Sequence, residues 1–519
     1  MSVSIKRDRL LIVAGYLLVC VWVWPFVRYY VDNADTFQYI SIAEHLVKGK
    51  WQYAINAYWS PLISWLLAPY LMVCRNGINA FKYLQIIIGV FVLLQWIQFL
   101  MLTTLDARRQ RIIAYASIPF IVNFSLLNLT PDLLFVGIML SFMNALIFWL
   151  EKKNDGSTLG WYGGLLFLSK SFGITIFIFM MAVAWKMKGE RVSTSIIKKI
   201  AKPFLLICGI WIALISIKEK KFTISAAARF NMTYEVAPTP GKIVGMPILT
   251  GGLLPPANPE ALSAWEEPGS QISLTPLNPF SAPAHYLDVV KRNFLSLYYG
   301  DFQQQMGIVF LITMLFYFLF RRKDVSTPLW IKISLLVMSG MYVGYGLILM
   351  HSRYVWICSM LFLPASIYFL SEIKFISKIK IISEVLLVSI TIFSLKKPVK
   401  EVLLNGDRSV NNLQLFHTVR SPKETMEIFY KPEKKLHQDI EQLIKLIPVG
   451  QNFASLRIEN AERDQYADGL MIAYECKGKY FGVADIIDST FKGYIISRGV
   501  SDTTAFFKSK DSGLVIYRY

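Results

Sequence analysis

A hydroxyl loses its proton most readily to a carboxylate fixed beside it, and a phosphate gains negative charge most easily where cations already face it. This chain carries groups of both kinds at the ends of apolar runs. Asp32 and Asp35 stand in YVDNADTFQYISIAEHL at 30–46, directly after the first such run. Asp35 has two readings. Gln38 follows it at the spacing of a capping box, so Asp35 can simply begin a helix. The same position would hold its carboxylate rigidly enough to act as a base. Asp32, three residues earlier, is the second choice. Tyr39, Ile42, Ala43, Leu46 and Val47 share one face of the helix that follows, which suits a helix lying in the interface plane.

Lys170, in SKS at 169–171, sits at the tip of a hairpin between two apolar runs. A charge there is either functional or snorkels to the headgroups. Arg353 in HSRYVW can grip a phosphate with its fork or, with Tyr354, mark a membrane interface. Asp132 in NLTPD reads first as the cap of the next helix. His351 is a candidate metal ligand or polar contact; with 5 His and no HxH or HxxxH pair, no metal site follows. Trp59 and Trp65 fit an aromatic belt better than a sugar platform. Glu266 and Glu267 in AWEEPGSQ either solvate an outer loop or help to shape an acceptor pocket.

Apolar length sets the elements that must position these groups. Of 519 residues, 54% are hydrophobic and only 17% charged, against roughly a quarter charged in soluble domains. The difference lies in runs approaching the ~20 residues that span a bilayer. Spans are predicted at about 10–29, 81–105, 112–127, 133–150, 161–168, 172–185, 203–217, 306–320, 329–350, 355–370 and 381–395, about eleven in all. The Pro-broken stretch 58–73 is a half-inserted segment or the start of the second span. With the N-terminus cytoplasmic, KRDR, RRQR, EKK, KMKGER, RRK and KFISKIK all fall inside. DNAD, NLTPD, Lys170, the 218–305 loop and HSRY then fall outside. The net charge of +19 is therefore loop charge and no nucleic-acid footprint. Five cysteines without a CxxC pair give neither a disulfide framework nor a zinc site. From about 396 the chain reads as an outer α/β domain, with a helical stripe at 435–447 and strand-like runs GLMIAYEC, KYFGVAD, GYIIS and GLVIYRY. Residues 1–395, with outer loops 30–60 and 218–305, form the membrane domain, and 396–519 the second domain.

In order along the chain come DTFQYISIAEHLVKGKW, YWSPLISWLLAP, TPDLLFVGIMLSFMNALIFWL, GGLLFLSKSFGITIFI and then RY at 353–354. This ordered set, covering roughly 10–370, resembles the GT-C superfamily of polytopic glycosyltransferases. The branch it is similar to includes aminoarabinose transferases and protein O-mannosyltransferases. The resemblance implies an all-α polytopic bundle of GT-C type in a bacterial inner membrane, its small α/β domain periplasmic or extracellular. It implies inverting transfer of a sugar from a polyprenyl-phosphate donor to a hydroxyl of a surface glycan, lipid or protein. Asp35 would be the catalytic base, with Lys170 and Arg353 on the donor phosphate; Asp32, Asp132, His351 and Tyr354 remain weaker candidates. Protein O-mannosyltransferases have adjacent Asp-Glu where this chain has DNAD, so a protein acceptor does not follow. Some family members use a divalent metal and others none, so no cofactor is fixed. The rival reading, a transporter or flippase of lipid-linked glycans, expects repeated halves with broken helices, and the sequence has no such repeat.

Overall fold

Helices occupy nearly every apolar run, because a backbone in hydrocarbon must satisfy its own hydrogen bonds. The computed structural model describes residues 3–31, 33–74, 76–152, 155–189, 193–235, 252–270, 278–297, 306–320, 326–373, 380–404, 421–457, 465–498, 504–509 and 512–519. The N-terminal half runs α1 (Val3–Val27), α2 (Asp35–Val47), α3 (Trp51–Ala54), α4 (Leu62–Val73), α5 (Gly77–Met101), α6 (Ala107–Ala116), α7 (Ile118–Leu126), α8 (Asp132–Leu150), α9 (Ser157–Ser169), α10 (Gly173–Lys188), α11 (Thr194–Glu219) and α12 (Ala227–Glu235). Then follow α13 (Pro283–Leu297), α14 (Gly307–Phe320), α15 (Leu329–Gly346), α16 (Trp356–Ser371) and α17 (Lys380–Leu404). Among the described residues six helical segments are long and apolar enough to cross a membrane: Asp8–Val27, Gly77–Met101, Asp132–Leu150, Thr194–Glu219, Leu329–Gly346 and Ser352–Ser371. The other expected spans are helical but shorter or more polar. α4, with 12 residues and an internal Pro69, is too short to cross alone.

Charge pairs sort to the two ends of this bundle. Arg111 Nε lies 3.6 Å from Asp8 Oδ2, and Arg108 Nη1 lies 2.9 Å from Glu384 Oε2. Asp8, Arg108 and Arg111 come from segments that charge patterning assigned to one side, and Glu384 lies near the start of the predicted span that leaves it. The ion pairs Asp35–Arg353 and Asp132–Lys170 join segments assigned to the other.

The C-terminal part begins with α18 (Pro422–Phe429) and α19 (Lys431–Leu446), followed by β1 (Asn452–Leu456), α20 (Gln465–Glu475), β2 (Lys479–Ala484), β3 (Tyr494–Arg498), β4 (Phe507–Lys508) and β5 (Leu514–Arg518). The sheet order is β2-β1-β3-β5-β4. β1 runs parallel to both β2 and β3, pairing Asn452 with Lys479 and Phe453 with Tyr494, while β5 is antiparallel to β3 and β4. One sequence expectation is corrected here. GLMIAYEC, read as a strand, belongs to α20, because parallel β1 and β2 need a crossover between them. Its Gly469 lets the helix lie against Tyr480 and Ser455 of the sheet. α17 also continues to Leu404, so the expected boundary at 395–396 falls within a helix.

Candidate active site

Four charged side chains from four distant segments meet at one end of the bundle. The first is presented by the turn after α1. Lys82, fully buried in α5, donates to Val27 O and, at 2.7 Å, to Tyr30 O, so its amine closes the C-terminal end of α1. Gln85, one helical turn on, donates to Thr130 O at 2.6 Å and fixes the neighbouring turn. Asn33 Oδ1 accepts from the backbone N–H of Asp35 at 2.8 Å, an Asx turn that begins α2. The capping-box reading is thereby corrected: Asn33 starts the helix, and Gln38 donates to Ser263 Oγ at 3.3 Å. The Asp35 carboxylate is released for other contacts. Its Oδ2 accepts from Arg353 Nη2 at 2.7 Å and its Oδ1 from Trp265 Nε1 at 3.1 Å.

The second pair adjoins the first. Asp132 is the first residue of α8, and its Oδ2 accepts from Thr130 Oγ1 at 2.8 Å. Its Oδ1 accepts from Lys170, the residue joining α9 to α10. Tyr354 stands between the pairs, its ring centroid 3.7 Å from Lys170 Nζ and 5.4 Å from Arg353 Cζ, a cation–π geometry. Tyr345 backs it at 4.8 Å between centroids, and the His351 ring meets it edge-on at 5.2 Å. Two anions and two cations thus neutralise one another. The side chains of Asp35, Lys170 and Arg353 remain 14%, 15% and 21% exposed, so a ligand can still reach them. Arg353 Nη1 is buried and has no protein acceptor among the described residues.

The structure therefore brings together Asp35, Asp132, Lys170, His351, Arg353 and Tyr354. Asp32 lies outside the described residues. Among the described residues no three His, Cys, Asp or Glu side chains group in a way that could hold a metal ion. Neither Lys82 nor Trp265 was singled out in the sequence, and Glu266 was open to a solvated or a pocket-shaping reading. Trp265 and Glu266 lie more than 200 positions from Asp35 in the 252–270 loop. Glu266 is fully buried, and Glu267 is paired with Lys218. Trp59 is buried against Trp265 at 5.7 Å rather than in an aromatic belt, whereas Trp65 is 39% exposed and packs on Trp211. The available signal was a lone lysine, Lys82, inside the apolar run 81–105.

This arrangement is a bundle of apolar helices, six of them long and apolar enough to cross a membrane among the described residues, with acid–base pairs at one mouth and a small α/β part after it. The chain has the fold of ArnT. The crystal structure of ArnT from Cupriavidus metallidurans bound to undecaprenyl phosphate matches with a TM-score of 0.52 and 9% identity, over 97% of each chain. The apo state of the same protein matches with a TM-score of 0.50 and 11% identity, again over 97% of each. No protein-family model and no curated protein sequence matches the chain.

Proposed function

We propose that the chain is an inverting glycosyltransferase that moves a sugar from a polyprenyl-phosphate carrier onto a hydroxyl of a cell-envelope glycan, lipid or protein. The observation that carries this reading is the meeting of Asp35, Arg353, Lys170 and Asp132 at the mouth of an ArnT-like bundle. Undecaprenyl phosphate, the lipid bound in that ArnT crystal structure, gives the donor's carrier class. The eleven crossings, the cytoplasmic N-terminus and the periplasmic or external position of the site belong to the same proposal and rest on the loop charges.

The reaction is one in-line displacement. The acceptor oxygen attacks the anomeric carbon, and its proton passes to the Asp35 carboxylate. The bond from the anomeric carbon to the phosphate oxygen breaks, and its electron pair leaves on that oxygen. Arg353 can serve base and leaving group together: Nη2 holds Asp35 while the partly exposed guanidinium presents its charge to the phosphate. Lys170 supplies the second cation, kept in place by Asp132 and the Tyr354 ring.

The test uses the chain in liposomes with undecaprenyl phosphate carrying a radiolabelled hexose or pentose, and envelope extract as acceptor. Label should move to the extract as free undecaprenyl phosphate accumulates. Label crossing the bilayer with its phosphate bond intact would make the chain a carrier of lipid-linked sugars instead.

A further inference from the structure

The loop that reaches Asp35 is fixed from two sides. On one side it docks on the free edge of the C-terminal sheet. Tyr480 N donates to Leu262 O at 2.8 Å, Leu254 N to Phe481 O at 2.8 Å, and Lys479 Nζ to Pro259 O at 2.7 Å. On the other side Glu266 fastens it to α2. Gln38, Ser41 and His45 recur at helical spacing and form a polar stripe on that helix, which would favour water if nothing covered it. All three are buried, and so is Glu266. Ser41 Oγ donates to Glu266 Oε2 at 2.7 Å, Leu262 N donates to the same oxygen at 3.3 Å, and His45 Nε2 lies 2.7 Å from Oε1. Asn56 Nδ2 donates to the Glu266 carbonyl at 2.7 Å.

Trp265 stands between these two attachments. Its carbonyl accepts from Trp59 Nε1 at 3.1 Å, and the rings of Tyr58, Trp59 and Phe230 surround its indole. The one indole N–H that this cage leaves to choose a partner points to Asp35 Oδ1.

We propose that Glu266 is a positioning residue for Asp35. It latches the 252–270 loop onto α2, so that Trp265 fixes one carboxylate oxygen while Arg353 fixes the other. Through the same loop the C-terminal sheet bears on the site. The proposal deepens the transferase reading and rests on Asp35's role there, yet the geometry it asserts can be measured without turnover. It requires hydrogen bonds at position 266 rather than charge. A glutamine can turn its oxygen to Ser41 and Leu262 and its N–H to His45 in the other tautomer, whereas alanine offers none of these.

The full chain in detergent micelles is labelled at a single pH with a water-soluble carbodiimide and glycine ethyl ester, and the peptides are read by mass spectrometry. Asp468, buried in the C-terminal domain and paired with Arg498, is the internal reference. Glu266→Ala and Trp265→Phe should each raise labelling of Asp35 about threefold or more, the factor expected for one lost hydrogen bond. The double variant should rise no further than Trp265→Phe alone. Glu266→Gln should stay near wild type, and the milder Ser41→Ala should show part of the rise. Wild-type labelling of Asp35 in Glu266→Ala would overturn the latch. An equal rise at Asp35 and Asp468 would overturn it too, since that is general loosening. Failure of the base assignment looks different: Asp35→Asn would keep its transfer activity while every labelling result stood.

Discussion

Arg353 holds Asp35 through Nη2 while its side chain stays 21% exposed, and the chemistry of the site turns on that division. A lysine keeps the charge but has no rigid fork. Arg353→Lys should therefore weaken binding of undecaprenyl phosphate by about 10- to 100-fold, the range of one charge-assisted hydrogen bond, as read by titration in nanodiscs. Lys170 behaves differently because its partner is buried. Lys170→Met leaves Asp132 without its cation, and should cost stability of about 1–3 kcal/mol as well as lipid affinity. The double variant Lys170→Met with Asp132→Leu should recover thermal stability but not affinity, which separates the two roles. As candidates, Asp35, Lys170 and Arg353 stood out in the sequence because charges are scarce at the ends of apolar runs and expensive there. Glu266 stayed open between a solvated and a pocket-shaping reading, because a carboxylate in a polar loop announces neither its burial nor the α2 stripe that covers it.

The α9–α10 hairpin shows what an element contributes that a residue cannot. Its turn is tight: Gly173 N donates to Lys170 O at 2.8 Å, and a Cβ on Gly173 would run into the backbone carbonyl of Leu166. Gly173→Ala should splay the hairpin and move Lys170 off Asp132, at the cost of about 1–3 kcal/mol usual for overpacking. Both a lower unfolding temperature and weaker lipid binding are expected; normal values of both would show that the turn does not set Lys170. The hairpin itself was visible as two apolar runs around SKS. α2 was visible as a helix, but its surroundings were not. Its apolar stripe suggested a helix half immersed in an interface, whereas residues 36–43 are all buried and the polar side is covered by a loop from beyond α12. Periodicity reports one face of an element; what covers the opposite face is decided by the rest of the chain. The same limit explains α20, whose apolar run is too short for periodicity to separate helix from strand.

At the scale of the molecule, the C-terminal domain packs on the segment that carries Asp35. His437 stacks on Tyr29 at 4.1 Å, and Tyr474 Oη donates to Glu44 Oε1 at 2.9 Å. Asn76 Nδ2 donates to Glu475 Oε1 at 3.1 Å. Burial pushes the Glu475 carboxyl up to about 7; the Asn76 amide pulls it down, and the nearby Glu44 carboxylate raises it further. A carboxyl raised in the folded state favours folding while the unfolded chain would still hold its proton. This junction is therefore tightest below about pH 4.5, the ordinary glutamate value, and loses that support as pH rises to about 7. Protection factors in α20, corrected for the intrinsic pH dependence of amide exchange, should be higher at pH 5.5 than at pH 8, and Glu475→Gln should flatten the difference. The apolar bundle and the small C-terminal sheet were legible from apolar length and from the short strand-like runs that follow it. Their junction was not, because it joins residues some 400 positions apart, such as Asn76 and Glu475. The proposed transfer depends on Asp35 as the base. Its most direct test measures binding and transfer together on Asp35→Asn, with undecaprenyl phosphate and its radiolabelled sugar conjugate. The substituted chain should bind undecaprenyl phosphate within a few-fold of wild type while transfer falls by roughly 10²- to 10⁴-fold; transfer at the wild-type rate would contradict it.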